Sequence, residues 1–427
     1  MPACSTANPT RPGEPIEKDS VAVDSRPLVI SACGTYLKPE MRSIHRQIAG
    51  LDRVRTIVYA QKVENRALFP FDPVVKLTKL HHRTKGNFLL RFWFKYVIRQ
   101  WPPPIRINKY VGPCHPYDMP ERLRADAPDL VHVYYGHKAV RYLGMLKDWG
   151  GPWIVSFHGV DAAKFLEREG YLEQLREVFE TAVLVLARSE SLLERLADLG
   201  CPRHKLRLNR TAIPLDHLPV VKRERPADGR WRLVQACRLI PKKGILTLLR
   251  ALRELAPRYP SLRYVLCGDG PQAERIRGEA AALGIAEMVE ERGWLSPGQL
   301  LAEYEKGHIF VHPSELTGEA DQEGVPNSML EAMATAMPVV ATRHGGIPEA
   351  VADGRDGLLV EEKNPAQLAA AIERMITGQG LWEAMGGRAS ATVRAHFEAK
   401  KQIRALEDCY LEAIAIARAS AESARLR

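Results

Sequence analysis

The densest group of chemically capable residues lies in HPSELTGEADQEGVPNSMLEAMATAMPVVATRHGGIPEAVADGRDGLLV, residues 312–360. A strand ending near Ser314 runs into an acidic, glycine-containing loop. Pro326 then sets up a helix whose apolar positions are Met329, Leu330, Met333 and Met337. Glu323 falls in the loop before this helix, and Glu331, eight residues later, about one and a half turns inside it. The exposed amides near Asn327 and Ser328, at the positive end of the helix dipole, form an anion site between the two carboxylates. Each carboxylate can accept hydrogen bonds from a vicinal diol. Hydroxyls, phosphate and hydroxyls in that order describe a nucleotide-sugar. Standing alone, such a pair of acids most often does no more than complement the dipole.

Other residues extend the pattern. QACRLIPKKGILTLLRAL (235–252) puts Arg238 at a strand end and Lys243 in the turn that follows. Two cations there can neutralise a departing diphosphate, the task many transferases give to a divalent metal. No Asp-x-Asp or His-rich cluster is present in the sequence, so the expected chemistry uses neither a metal nor a cofactor, the nucleotide-sugar being a substrate. CGDG (267–270) and RHGGIP (343–348) supply glycine turns at strand ends. In the first half, SFHGVD (156–161) places His158 at the end of a strand, aimed at a ligand or simply held as a structural histidine. HVYYGH (132–137) makes a similar turn at Gly136. Acyl-hydrolase, P-loop and two-cysteine zinc motifs are absent.

These residues need a scaffold that brings loops from both halves together. Strands are expected at 28–33, 55–61, 130–135, 153–159, 182–189 and 205–212, then at 232–238, 263–270, 308–314, 338–343 and 357–360. Helices are expected over 38–50, 137–149, 171–180 and 189–199, and after Lys243, Pro271, Pro297, Pro326 and Pro365. Such alternation implies an α/β chain with two doubly wound, Rossmann-like domains of parallel strands facing a cleft. Ligands of such sheets bind beyond the carboxyl ends of the strands. The polar segment KRERPADGR breaks the rhythm. The expected organisation is therefore a disordered leader (1–27), a domain (28–221), a linker (222–230), a second domain (231–395) and a C-terminal helical tail (396–427).

Composition sets the outer limits. With 427 residues, 45% hydrophobic and 26% charged, the chain has material for two sizeable cores and is not globally disordered. No apolar run is long enough to cross a membrane. Seven scattered cysteines fit neither a disulfide framework nor a zinc cluster, so a reducing cytoplasm is expected. The 61 basic and 51 acidic residues leave a net charge of +10, and nine of those positive charges fall within the acid-free stretch 73–117. There, NFLLRFWFKYVIRQW interleaves aromatics and bases at helical spacing. Arg91, Lys95 and Arg99 form one stripe, and Phe92, Trp93 and other apolar residues fill the rest. This composition suits a helix docked on an anionic membrane, or a core helix with a solvated basic stripe. Nucleic acid is not an expected partner, since no recognition motif accompanies the charge.

Taken together, EGVPNSMLEAMATAMPVVATRHGGIPE, the Arg238/Lys243 turn, VHVYYGHKA and SFHGVD resemble glycosyltransferase family 4, the retaining transferases of GT-B fold. The likeness covers about residues 28–395 and is strongest over 231–360. It implies that Arg238 and Lys243 grip the donor diphosphate and that Glu331 holds the nucleotide ribose. Glu323 would hold the transferred sugar with the backbone of Gly324 and Val325, and Asn327 and Ser328 would offer amides to the phosphates. His158, with Glu323, would stand at the reacting sugar. The chain looks most similar to the transferases of bacterial exopolysaccharide and lipid-linked repeat-unit synthesis. The expected partners are thus a UDP- or GDP-sugar, a glycan or lipid-linked glycan acceptor, and the inner face of the cytoplasmic membrane. A soluble enzyme making a disaccharide or small glycoside, and a non-catalytic scaffold of the same fold, are the rival readings. One departure stands out: ACGTYLKPEM offers only Gly34 where many family members carry a glycine pair.

Overall fold

The computed structural model describes residues 24–38, 41–78, 92–99, 115–116, 118–162, 166, 168–317, 324–378 and 380–425. Two all-parallel sheets form its frame. The first holds β1 (Leu28–Tyr36), β2 (Arg55–Val63), β3 (Val74–Lys76), β4 (Leu130–Tyr134), β5 (Trp153–Phe157), β6 (Leu184–Ala187) and β7 (Leu206–Leu208), in the spatial order 3-2-1-4-5-6-7. The second holds β8 (Arg232–Ala236), β9 (Arg263–Cys267), β10 (Val289–Gly293), β11 (Ile309–His312), β12 (Val339–Thr342) and β13 (Gly357–Val360), in the order 10-9-8-11-12-13. Both orders reverse direction beside their first strand, and that reversal opens a crevice at the carboxyl ends. The expected Rossmann-like pair and the GT-B architecture are both present.

The central strands form because they are apolar on both faces. LVHVY of β4 and WIVSF of β5 are buried at every position, with Val131 opposite Trp153 and Val133 opposite Val155. Helices cover them on either side, as parallel crossovers require. The strands missing from the sequence expectation are β3 and β10, both at sheet edges. VEERG of β10 carries three charges, and edge strands need no continuous apolar run because one side stays in water.

Two connections tie the halves together. Within 222–230, Arg223 is no free linker residue: its guanidinium donates to the carbonyls of Tyr304 (2.8 Å), Gly307 (2.5 Å) and Thr335 (3.2 Å), capping two helix ends. The helix Ala399–Arg425 leaves the second half and docks on the first sheet, where Leu406, Tyr410, Ala413 and Ile414 pack with Val29, Leu130, Ile154 and Leu184. Burying an aliphatic side chain of this size contributes about 1.5–3 kcal/mol. Glu407 accepts from the Asp52 and Arg53 amides at 2.6 Å each, and the Tyr410 hydroxyl meets His132 Nδ1 at 2.8 Å. The helical tail therefore completes the first core.

The aromatic segment takes a different form from the expected helix. Its described part is a single five-residue turn of π-helix, Trp93–Val97, with no buried residue. Phe92, Trp93, Tyr96, Val97 and Ile98 are each about half exposed, so the core-helix alternative fails for these residues. A segment apolar around most of its circumference offers no single face for the sheet to select. Residues 1–23 of the expected leader, and Arg91, lie outside the described residues. Among the described residues no helix is long and apolar enough to cross a membrane.

Candidate active site

Between the carboxyl ends of the two sheets lies a cleft of about 430 Å³, lined from both sides. From the second half it receives Arg238, Lys242 and Lys243 after β8, the loop Gly324–Pro326, and Asn327, Ser328 and Glu331 of the helix Asn327–Ala334. From the first half it receives Arg42 and Ser43, then Tyr135, His158, Arg188 and Thr211. His158, Arg238, Lys243, Gly324, Val325, Asn327, Ser328 and Glu331, gathered from the sequence, thus share one site. Glu323 lies outside the described residues. Phe92, Trp93, Lys95 and Arg99 do not line the cleft.

The second wall owes its shape to backbone geometry. Gly244 follows the Lys242–Lys243 turn at φ 61°, and a Cβ there would lie 1.7 Å from the Pro313 carbonyl oxygen, so only glycine lets this turn close. Gly346 packs against the loop Gly324–Pro326, where a Cβ would sit 3.0 Å from Val325. The helix Asn327–Ala334 begins without a side-chain cap, so its first amides are not claimed by a capping residue. The Ser328 hydroxyl is used structurally, donating to the Ala236 carbonyl at 2.6 Å and fixing the helix start against the end of β8. Lys242, not singled out from the sequence, is as deeply seated as Lys243, at 7% and 9% exposure. Trp294 stands 59% exposed at the mouth beyond β10.

Glu331 has a partner no sequence spacing could show. Arg46 of the helix Arg42–Ala49, in the first half, donates to its Oε1 at 3.1 Å. A carboxylate offers about four lone-pair sites, so this bond leaves capacity for ligand hydroxyls. The pair also ties the two walls together.

The first wall is built from consecutive strand ends. Tyr135 follows β4 in the left-handed region (φ 78°), a strained conformation for a tyrosine, and its ring lies 4.5 Å from that of His158 after β5. Asp161 fixes both turns: its buried carboxylate accepts from the Gly136 amide at 2.7 Å and the His158 amide at 2.9 Å. Burial pushes this carboxyl up to about 6 against the pull of those amides. The His158 ring, 3.2 Å from the Ser156 hydroxyl, is held neutral, because burial and then the Arg188 charge push its pKa well below the usual range. A neutral imidazole can stand beside developing positive charge without repelling it.

Gly34 lies inside β1, which runs past the expected strand end at 33, and Lys138 occupies the space a side chain would need there, its Nζ lying 2.4 Å from an ideal Cβ. Burial and Arg141 pull this ammonium down to about 8. Thus a lysine packs against the strand end where many family members carry a glycine pair, and Tyr36, the last residue of β1, is wholly buried.

Comparison with known proteins follows the same division. A family profile described as "Glycosyl transferases group 1" matches residues 220–392, and one described as "Glycosyltransferase Family 4" matches residues 80–217. The chain is 27% identical over 307 residues to WcaL of Escherichia coli, named for colanic acid biosynthesis, covering 70% of this chain and 73% of WcaL. It is 27% identical over 250 residues to the amylovoran biosynthesis glycosyltransferase AmsK of Erwinia amylovora, covering 58% of this chain and 61% of AmsK. Among solved structures it resembles HepE of Anabaena in complex with UDP and glucose, with a TM-score of 0.68 at 15% identity over 90% of this chain and 99% of HepE. With both halves matched in order and the two-sheet fold in place, the chain belongs to glycosyltransferase family 4 and is a distant homologue of WcaL and AmsK.

Proposed function

We propose that this enzyme transfers a sugar, with retention, from a UDP- or GDP-sugar to a glycan or lipid-linked glycan acceptor in exopolysaccharide or cell-envelope polysaccharide synthesis. The observation that carries this reading is the convergence, in one cleft, of cations, an uncapped helix start and Glu331 on one wall with a neutral His158 on the other. Arg238, Lys243 and the amides of Asn327 and Ser328 hold the diphosphate, Glu331 the ribose, and Glu323 with the Gly324–Val325 backbone the sugar. As the anomeric C–O bond breaks, its electron pair passes to the diphosphate oxygen, which the cations stabilise without a metal. The acceptor hydroxyl attacks from the same face and gives its proton to the departing phosphate. The oxocarbenium-like charge develops beside His158.

The exposed aromatic turn at 92–98, with Lys95 and Arg99, supports docking on an anionic membrane, which would place the enzyme at the inner face of the cytoplasmic membrane. Similarity to WcaL and AmsK, named for colanic acid and amylovoran biosynthesis, supports the acceptor class. A thermal-shift panel of UDP-, GDP- and ADP-sugars tests the donor. One nucleotide class should raise the melting temperature in proportion to RT ln(1 + [L]/Kd), and a flat panel would refute the reading.

A further inference from the structure

Arg188 follows β6 directly, so the ends of three neighbouring strands deliver Tyr135, His158 and Arg188 side by side to the first wall. Its position is fixed on both sides. The β6 ladder pairs Ala187 with Phe157, and the Ser189 hydroxyl caps the helix Glu190–Asp198 by accepting from the Leu192 amide at 3.2 Å. Arg188 is only 6% exposed, and both of its Nη atoms are buried without a hydrogen-bond partner. No carboxylate among the described residues pairs with it. It is surrounded instead by Tyr134, Tyr135 and Tyr410 and by the imidazoles of His132 and His158.

Three other enclosed arginines among the described residues differ. Arg223 caps several carbonyls, Arg46 pairs with Glu331, and Arg232 pairs with Glu290 and Glu303. A buried guanidinium with no partner is costly to a fold and is almost never kept for packing alone. Arg188 is also among the residues that line the cleft. The planar fork of donors matches a carboxylate or phosphate held through two oxygens.

We propose that Arg188 binds a substrate oxyanion, a carboxylate or phosphate carried by the acceptor or by the transferred sugar, at a point separate from the donor diphosphate. The separation follows from the walls: Arg238, Lys242, Lys243 and the helix start all belong to the second half, whereas Arg188 follows β6 of the first. The assignment rests on the nucleotide-sugar reading only for what occupies the opposite wall.

The test compares full-length wild type with Arg188→Met, Arg188→Gln and Arg188→Lys. Melting temperatures are measured without ligand. Inorganic phosphate and sodium glucuronate are then titrated calorimetrically with saturating UDP or GDP present, so that the second wall is filled. Removing an unpaired buried charge should raise the melting temperature of Arg188→Met by about 2–4 °C. The same variant should lose at least about tenfold in affinity for one of the anions, since it removes hydrogen bonds from a charged donor, and Arg188→Lys should recover part of it. A response to phosphate assigns a phosphate-bearing substrate, and a response to glucuronate a carboxylate-bearing sugar. Anion affinities equal in wild type and Arg188→Met, or no anion binding to wild type, overturn the proposal. So does a lowered melting temperature in both Arg188→Met and Arg188→Gln, which marks a structural arginine. Failure of both UDP and GDP to bind overturns the nucleotide-sugar reading instead, and the same anion titrations run without nucleotide on wild type and Arg188→Met then decide Arg188 by the difference between the two.

Discussion

The two walls of the cleft are built by different means. The second wall takes much of its chemistry from one contiguous stretch, Gly324 to Glu331, plus the turn holding Arg238, Lys242 and Lys243. The first wall takes single residues from the helix Arg42–Ala49 and from the ends of β4, β5 and β6. A helix start makes an anion site from neighbours in sequence, because its amides converge locally. A wall of strand ends needs the whole sheet to be folded before its members meet. The cations and the helix start are therefore concentrated where local geometry suffices, and the opposite wall is assembled by topology.

The largest expected effect falls on the second wall. Lys243→Ala or Glu331→Gln should lower turnover by about 10²-fold or more in a sugar-transfer assay, the scale seen when one preorganised electrostatic group is lost. Near-normal rates from folded variants would break the distinction between the walls. On the first wall, Asp161→Ala should cost about tenfold in kcat, with donor affinity little changed, because it releases the Gly136 and His158 turns and leaves the donor groups intact.

Asp161 also predicts a pH dependence. Its folded pKa of about 6 lies above the usual 3.8, so the folded state binds this proton more tightly than the unfolded chain does. Its contribution to stability is present in full below pH 3.8 and is lost as pH rises through about 6. Melting temperatures of wild type and Asp161→Asn should diverge across that window, and parallel curves would contradict the assignment.

Smaller effects concern the join between the walls. Arg46→Ala leaves Glu331 enclosed without its partner and should destabilise by about 1–3 kcal/mol, read by denaturant unfolding. Glu349, from the second half, accepts from the Glu190 and Ser191 amides at 2.7 and 2.8 Å, capping a helix of the first half. Glu349→Gln should cost only about 0.3–1 kcal/mol, the value of a charge at an exposed helix start.

Legibility in the sequence followed the same division. The central strands could be read because burial on both faces demands continuous apolar runs, as in WIVSF and LVHVY. β3 and β10 could not, since edges tolerate charge. The helical character of the last 27 described residues was plain, but not their return to the first sheet, because an apolar stripe does not name its partner. His158 was visible through its glycine-flanked turn. Arg42, Tyr135 and Arg188 were not, since an arginine or tyrosine at a strand end carries no local mark of burial or of its neighbours. Lys242 was passed over for Lys243 although the turn seats both.

The most direct test is calorimetric binding of the donor found by the nucleotide-sugar panel, measured on wild type, Lys243→Ala and His158→Ala. If the second wall holds the donor and the first serves the reacting centre, Lys243→Ala should lose at least about tenfold in affinity. His158→Ala should then bind within about threefold of wild type while its turnover falls by about 10²-fold. Normal donor binding by Lys243→Ala, with binding lost in His158→Ala, would contradict it.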